Sequence, residues 1–272
     1  MARPPSILVA GGLDPLGGAG ITADATLVAT LGLLPLPVAL ALVEQDSFGV
    51  RRLLPIAAEQ FAGSFRAALE DGRPAVLKVG VIGSLEAAAW LRDELLSWLR
   101  EDRSRRLVLD PILRGGTADG ASLAPGSMLP ALRALLTPQT IVTPNAGELA
   151  ALAERPDAAT DRDAAAEAAL RLHRSTGALI LLKSGHTDRP GQDRWVEAGA
   201  VSDLPQQQRW EHDLHGTGGF VATALAAGIA RGLAPSDAAD RATSMLARLV
   251  AGGGLVRVGA GRPQLLQTRA QW

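Results

Sequence analysis

The alternation of short apolar segments with helix-like segments most constrains the fold of this 272-residue chain. Six segments of four to seven residues, bounded by Gly, Pro or polar residues, are typical of buried strands. They are residues 6–10, 37–43, 75–80, 106–110, 140–143 and 178–183. Helical spacing predicts helices near 20–31, 57–70, 84–100, 127–136, 161–174, 220–230 and 235–250. This alternation predicts an α/β fold whose mostly parallel central sheet has helices on both faces.

The later part of the chain has weaker patterns. The pattern of residues 195–208 predicts a hairpin-like segment with Gly199 at its turn. For the end of the chain we expect a short strand followed by a loose tail. With 47% hydrophobic and 20% charged residues, the chain can bury one large core, so we expect a single domain over residues 1–272.

Charge and composition exclude several function classes. The formal net charge of −1 provides no polybasic face, so we expect neither nucleic acid nor a membrane as a partner. The absence of cysteine excludes disulfides, thiolate metal sites and thiol nucleophiles, and it fits a reducing cytoplasm. The N-terminus lacks the pattern of a signal peptide, and the most apolar region is too short to span a bilayer. We therefore predict a cytoplasmic protein that acts on a small molecule.

Polar residues gather where the predicted strands end. They are Asp14, Gln45, Asp110, Asn145, Glu148 and Lys183. Ligands of parallel α/β sheets bind outside the carboxyl ends of the strands, so this shared position favours a functional site. Each residue also has a structural interpretation, because Asp before Pro forms turns and Asn145 or Glu148 can cap a helix.

A glycine-rich turn precedes the predicted helix at 220–230. Residues 213–219 (Asp-Leu-His-Gly-Thr-Gly-Gly) leave backbone N–H groups free to bind an anion, and the helix dipole adds positive potential there. The turn therefore predicts a phosphate site, although a tight turn that allows close helix packing gives the same pattern.

Seven segments together resemble a known family. They are 14–24 (Asp-Pro-Leu-Gly-Gly-Ala-Gly-Ile-Thr-Ala-Asp), 45–50, 78–84 (Lys-Val-Gly-Val-Ile-Gly-Ser), 109–111 (Leu-Asp-Pro), 143–148 (Thr-Pro-Asn-Ala-Gly-Glu), 183–186 (Lys-Ser-Gly-His) and 215–218 (His-Gly-Thr-Gly). In this order they resemble the hydroxymethylpyrimidine/phosphomethylpyrimidine kinases of thiamine biosynthesis, which are ribokinase-like proteins. The resemblance covers roughly residues 6 to 250. It implies a ribokinase-like fold, ATP and Mg²⁺ as cosubstrates, and often a homodimer.

The resemblance also implies roles for individual residues. The backbone of the catalytic turn, Gly216, Thr217, Gly218 and Gly219, would stabilise charge on the transferred phosphoryl group. The ATP-binding residues would be Lys183, Asn145, Gly216 and Gly218. Asp110 and Glu148 would supply carboxylate oxygens to Mg²⁺. The pyrimidine would be bound by Gly12, Asp14, Ala19 and Gln45, and an amide and a carboxylate suit its amino group and ring nitrogens.

Gly219 departs from the family pattern. The pyrimidine kinases usually have at this position a Cys that serves as base, and glycine cannot take a proton from a substrate hydroxyl. A phosphate monoester, whose second pKa is about 6, is already an anionic nucleophile at pH 7. We therefore predict an ATP-dependent kinase of hydroxymethylpyrimidine phosphate with reduced activity on the free hydroxymethylpyrimidine.

Other interpretations remain open at this stage. The chain could be a non-catalytic, pyrimidine-binding regulatory protein, although the retained phosphate and metal residues argue against this. It could be a pyridoxal-type kinase, although the 14–24 segment argues against that. Asp213 or His215 could also replace the missing base, which would keep both phosphorylations active.

Overall fold

The computed structural model describes residues 3–114, 123–124, 126–184, 192–205 and 214–272. Its strands are β1 (Ser6–Leu13), β2 (Leu34–Asp46), β3 (Gly49–Pro55), β4 (Val76–Val79), β5 (Arg106–Leu109), β6 (Thr140–Val142), β7 (Leu179–Leu182), β8 (Arg194–Glu197), β9 (Ala200–Asp203), β10 (Leu255–Val256) and β11 (Gln264–Leu265). Its α-helices are α1 (Gly20–Thr30), α2 (Ala58–Gly72), α3 (Leu85–Glu101), α4 (Leu129–Ala134), α5 (Ala146–Ala153), α6 (Arg162–Thr176), α7 (Thr217–Ala230) and α8 (Pro235–Ala251).

Within the described residues, nine strands form one sheet in the order β3-β2-β1-β4-β5-β6-β7-β8-β9. The six central strands, β2-β1-β4-β5-β6-β7 in this order, pair parallel with one another. On one side β3 pairs antiparallel with β2, and on the other side β8 pairs antiparallel with both β7 and β9. The strand order reverses direction between β1 and β4, and such a switch point opens a crevice at the carboxyl edge of the sheet.

Helices cover both faces of this sheet, as the sequence predicts. Along β1, Leu8 and Ala10 face a core that includes residues of α2 to α6. Ile7 and Val9 face a second core formed with α1, α7 and α8. This period-2 alternation is expected for a strand whose two sides are both buried.

The structure differs from the predicted elements mainly at the edges. β3 is not predicted as a strand, because its segment contains two adjacent arginines and pairs only with β2. The predicted helix at 127–136 is a 3-10 turn, Gly126–Met128, followed by the short α4. The predicted hairpin is confirmed as β8 and β9, with Gly199 at a φ of 74° between them, and residues 206–208 lie outside the described residues.

The end of the chain is packed and does not form the predicted loose tail. Gln264 donates to the Leu16 carbonyl oxygen at 3.0 Å, and Gln267 donates to the Gly18 carbonyl oxygen at 3.4 Å. The Trp272 ring lies 4.6 Å from the Arg231 guanidinium. In the described part of the chain, no helix combines the length and apolarity needed to cross a membrane.

Candidate active site

A cavity of about 240 Å³ lies at the carboxyl edge of the sheet. All twelve residues predicted from the sequence line it, namely Gly12, Asp14, Ala19, Gln45, Asp110, Asn145, Glu148, Lys183, Gly216, Thr217, Gly218 and Gly219. A larger open cleft of about 610 Å³ lies between α2 and α3 and contains none of these residues. The fold therefore brings together the residues whose roles the sequence predicts.

The glycine turn before α7 packs directly against the glycine turn before α1. Gly216 has a φ of 85°, and a Cβ atom there would lie 2.0 Å from the Gly18 carbonyl oxygen. The tight-turn interpretation of this segment is thus confirmed. The turn also leaves α7 without a side-chain cap, and the first N–H groups of a helix have no partner within it. Because residues 216–219 line the cavity, this end of α7 can bind an anion.

Lys183 lies beside the first turn of α7. A Cβ atom at Gly218 would be 3.0 Å from the Lys183 ammonium, which lies 2.8 Å from Asp110 Oδ1. Thr143 donates to the same carboxylate oxygen at 3.1 Å. Burial alone would raise the pKa of Asp110, but Lys183 and Lys78 outweigh burial and hold it below its ordinary value. Burial opposes the charge on Lys183 too, yet Asp110 and Glu148 raise its pKa. This pair is therefore charged.

Asn145 and Glu148 cap α5 reciprocally. Glu148 N–H donates to Asn145 Oδ1 at 2.9 Å, and Asn145 N–H donates to Glu148 Oε2 at 2.8 Å. The predicted capping role is confirmed, and both side chains still line the cavity. Burial raises the pKa of Glu148 from 4.5 to about 7, an effect that Lys183 opposes and Asp110 increases. Glu148 therefore changes its charge near neutral pH.

The carboxylates of Asp110 and Glu148 fit the donor set of Mg²⁺. Asp110 Oδ2 is buried and has no hydrogen-bond partner among the residues that the structure describes. The same residues contain no cluster of three or more His, Cys, Asp or Glu side chains that could enclose a metal. Mg²⁺ usually binds one or two carboxylates and completes its shell with water and substrate phosphates. Two carboxylates beside the uncapped start of α7 could therefore hold Mg²⁺.

Asp14 organises the turn before α1. Its carboxylate accepts hydrogen bonds from the backbone N–H groups of Leu16, Gly18 and Ala19 at 2.9, 3.1 and 2.8 Å. The side chain is 2% exposed. Burial would raise the pKa of Asp14, but hydrogen bonds from His215, Gln45 and Leu16 lower it overall. The structural interpretation of this residue is thus confirmed, and its contact with a pyrimidine stays a prediction.

His215 links the two halves of the cavity wall. Its Nε2 atom lies 3.3 Å from Asp14 Oδ2 and 3.2 Å from Gln45 Nε2. The same ring nitrogen makes both contacts, so His215 fixes Asp14 and Gln45 relative to each other at one end of the cavity. Asp213, the other residue that could replace the missing base, lies outside the described residues.

The sequence of this α/β protein matches a known family over most of its length. The family model for phosphomethylpyrimidine kinase matches residues 14–263. The chain belongs to the phosphomethylpyrimidine kinase family. The match runs from Asp14 to just before β11 and contains almost every residue that lines the cavity. The resemblance found in the sequence is therefore confirmed.

Relatives of the chain are named as pyrimidine kinases or as a thiamine biosynthesis protein. The chain is 29% identical to the hydroxymethylpyrimidine/phosphomethylpyrimidine kinase of Rhizobium meliloti, and the match covers 96% of each chain. It is 31% identical, over 94% of its length, to a thiamine biosynthesis multifunctional protein of Corynebacterium efficiens. The chain spans only 34% of that larger protein.

Solved structures confirm the ribokinase-like fold class. The pyridoxal kinase of Staphylococcus aureus, in complex with AMP-PCP, matches with a TM-score of 0.83 and 20% identity over 98% of this chain and 95% of that one. The phosphomethylpyrimidine kinase of Clostridium difficile matches with a TM-score of 0.75 and 22% identity over 91% and 100%. At these identities the likeness concerns the fold alone.

Gly219 has space for a side chain, which distinguishes it from Gly216. A Cβ atom at Gly219 would lie 3.9 Å from Asp24 Oδ1 and 4.0 Å from the Lys78 ammonium. Both are ordinary van der Waals distances. The backbone of this member of the phosphomethylpyrimidine kinase family therefore accepts glycine at 219 without requiring it.

The sequence predicts no role for several residues that line the cavity. Lys78 and Asp24 form a buried ion pair at its floor. The sequence indicates Lys78 only in that a lysine lies within an otherwise apolar strand. Arg262 reaches the cavity from the C-terminal segment, and its backbone N–H donates to the Ser47 carbonyl oxygen. No local pattern marks Arg262, because its place depends on contacts across more than 200 residues of chain.

Proposed function

We propose that this protein transfers the γ-phosphoryl group of ATP to 4-amino-5-hydroxymethyl-2-methylpyrimidine phosphate and forms the diphosphate of thiamine biosynthesis. We propose further that its activity on the free hydroxymethylpyrimidine is reduced. Membership in the phosphomethylpyrimidine kinase family and the names of the relatives support the substrate class. ATP as the donor is supported by the family and by the AMP-PCP complex of a structural neighbour.

The reaction requires positioning and charge stabilisation more than covalent chemistry. An oxygen of the substrate's phosphate monoester attacks the γ-phosphorus, the bond to the β,γ-bridging oxygen breaks, and ADP leaves. The start of α7 has no side-chain cap and residues 216–219 line the cavity, so the backbone N–H groups there can stabilise the charge on the transferred group. Lys183, which lies beside Gly218, can contact the phosphates of ATP, and Asn145 lines the same side of the cavity.

Asp110 and Glu148 are the residues that would hold Mg²⁺. A magnesium ion bound there supplies positive charge that offsets the charge on the ATP phosphates. The unpartnered Asp110 Oδ2 atom is the feature that supports this assignment most directly. The pyrimidine would lie at the opposite end of the cavity, against Gly12, Asp14, Ala19 and Gln45.

The proposed preference for the monophosphate over the free hydroxymethylpyrimidine is based on Gly219. This glycine lies in the first turn of α7, in the same cavity as the residues proposed to bind phosphate and metal. An alcohol must lose a proton as it attacks, and residue 219 offers no group to accept it. A phosphate monoester has lost its second proton above pH 6 to 7, so its phosphorylation does not require that base.

The decisive experiment is ATP-to-ADP turnover by the purified protein with Mg²⁺, with hydroxymethylpyrimidine and its monophosphate compared at equal concentration. We expect turnover of the monophosphate and at most a small fraction of that rate with the alcohol. Equal turnover of both substrates would refute the specificity. Turnover of neither, with pyrimidine binding intact, would favour a regulatory protein on the kinase fold.

The proposal includes one cytoplasmic kinase domain that works as a homodimer. Leu42 and Phe48 are 45% and 68% exposed on β2 and on the turn that follows it. Large exposed apolar side chains on one hairpin are typical of a contact surface. Light scattering of the purified protein tests the dimer, and Phe48→Asp should shift it towards the monomer.

A further inference from the structure

Two oppositely charged side chains are buried together at the floor of the cavity. The Lys78 ammonium donates to Asp24 Oδ2 at 2.7 Å, and the two side chains are 2% and 3% exposed. Thr223 donates to the other oxygen, Asp24 Oδ1, at 2.6 Å. Lys78 belongs to β4 and Asp24 to α1, so the pair connects the sheet to the helix layer that contains α7. An ion pair at this depth is costly to desolvate and adds little net stability, so its retention requires another reason.

The pair lies at the position where residue 219 would direct a side chain. A Cβ atom at Gly219 would be 3.9 Å from Asp24 Oδ1 and 4.0 Å from Lys78 Nζ. Both charged residues line the cavity. Glycine therefore leaves the space above the pair open to a ligand.

Lys78 has hydrogen-bonding capacity beyond its contact with Asp24. An ammonium group has three donors. Among the described residues, Asp24 is the one acceptor within hydrogen-bond distance of Lys78 Nζ. The remaining donors can bind an anion that enters from the cavity, while Asp24 and Thr223 fix the position of the ammonium.

The two lysines of the cavity flank successive residues of α7. Lys183 lies beside Gly218 on the side of Asn145 and Glu148, and Lys78 lies beside Gly219. In the sheet, β4 lies between β1, which leads to Asp14, and β5, which leads to Asp110. Lys78 is therefore placed between the proposed pyrimidine side and the proposed ATP side. The substrate group that attacks ATP must also lie between these two sides of the cavity.

The sequence supports a specific need for lysine here. The chain has 27 basic residues, and only Lys78 and Lys183 are lysines, so both lysines of the protein lie in this cavity. The lysine ammonium is a compact charge, whereas a guanidinium is broad and planar. The chain is otherwise rich in arginine, yet both cations that lie beside the first turn of α7 are lysines.

We propose that Lys78 forms a subsite for the phosphate monoester that the substrate already carries, in the space that Gly219 leaves open. The ammonium binds this phosphate and orients its attacking oxygen towards the γ-phosphoryl group of ATP. This inference rests on the proposed function for the identity of the substrate. It adds that an anionic substrate is selected by a cation beside the position of Gly219.

The test measures equilibrium binding without ATP, by calorimetry, for hydroxymethylpyrimidine and its monophosphate. The wild-type protein should bind the monophosphate at least about tenfold more tightly than the alcohol, which is the range expected for one charged hydrogen bond. The double variant Asp24→Asn/Lys78→Met removes both charges and leaves no unpaired ion in the core. It should lose this preference and keep its affinity for the alcohol.

Two further variants make the test independent of the folding of the double variant. Gly219→Asp leaves the ion pair intact and places a carboxylate in the subsite, so it should weaken binding of the monophosphate alone. Arg92→Met removes an exposed positive charge on α3, outside the cavity, and should change neither affinity.

The subsite and the kinase activity can fail separately. If Asp24→Asn/Lys78→Met and Gly219→Asp both keep the preference for the monophosphate, the subsite is refuted even when the kinase is active. If the preference depends on Lys78 but neither pyrimidine is phosphorylated, the subsite stands and the kinase proposal fails.

Discussion

His215 Nε2 lies 3.3 Å from Asp14 Oδ2, and this contact joins two glycine turns that are about 200 residues apart in the chain. The two turns, which precede α1 and α7, pack against each other, and both line the cavity. Both are held by backbone contacts that tolerate little change, so the shape of the site and the stability of the fold depend on the same residues.

Asp14→Ala should destabilise the protein by about 3 kcal/mol, because three backbone N–H groups would lose a charged, buried acceptor. The free energy of unfolding, measured by urea denaturation at pH 7, checks this. Asp46→Ala is the matched control, because Asp46 also accepts two backbone N–H bonds but lies at the surface. Asp46→Ala should lower the free energy of unfolding much less than Asp14→Ala does. If both variants lose the same stability, the buried position of Asp14 does not matter.

The destabilisation by Asp14→Ala should depend on pH. The folded-state pKa of Asp14 is lower than its ordinary value of 3.8. A group with a lowered pKa contributes stability above its unfolded-state pKa and loses it as pH falls through the folded-state value. The difference between wild type and Asp14→Ala should therefore be constant from pH 5 upwards and shrink below about pH 4. A difference that grows in acid would contradict this.

Gly216→Ala should cost about 3 kcal/mol or more, because its Cβ atom would meet the Gly18 carbonyl oxygen at 2.0 Å. Gly232→Ala is the control, since Gly232 has a similar φ of 86° but no atom within 4 Å of the added Cβ. It should cost about 1 kcal/mol, which is the backbone strain alone. Thermal unfolding of both variants measures the difference, and similar losses would mean that the two turns do not restrict each other.

Gly219→Cys should raise turnover of the free hydroxymethylpyrimidine about a hundredfold, which is the lower end of the range for a general base. The surroundings accept the new side chain, because its Cβ atom would have only ordinary contacts. Steady-state kcat/KM for the alcohol checks this. Gly219→Ala fills the same space without a proton acceptor and should show no gain. A gain in both variants would assign the effect to packing.

Mg²⁺ should bind more tightly as pH rises from 6 to 8. Burial raises the pKa of Glu148 to about 7, and a protonated carboxyl cannot ligate a cation. The pKa of Asp110 is below its ordinary value, so Asp110 stays ionised and adds no slope in this range. Titration of the ATP-dependent activity with Mg²⁺ at several pH values measures the affinity. Glu148→Gln should bind Mg²⁺ more weakly, and its affinity for Mg²⁺ should not change with pH in this range. If the affinity of that variant still rises with pH, Glu148 is not the group that causes the pH dependence.

The core strands were predictable because each is a short apolar segment between turn residues, and both of its faces are buried. The strand β3 was not, because Arg51 and Arg52 interrupt its apolar pattern and it lies at the edge of the sheet, where it pairs only with β2. The packing of Gln264 and Gln267 against the first glycine turn was also missed, since nothing near them in the sequence marks a distant contact.

The candidate site could be located from the sequence because parallel strands bring their carboxyl ends to one edge. The cap formed by Asn145 and Glu148 follows from local spacing alone. The pairing of Lys78 with Asp24 could not be predicted, because the two residues lie on different elements that only the packed fold brings to 2.7 Å.

The sequence by itself determined the order of the central strands and most of the helices, the family, and the residues that line the cavity, because these depend on local composition and spacing. Only the tertiary structure decided which glycines are required and which charges are paired. A Cβ atom would collide with backbone at Gly216 but would make only ordinary van der Waals contacts with Asp24 and Lys78 at Gly219. This difference is set by segments far apart in the chain, and no local pattern contains it.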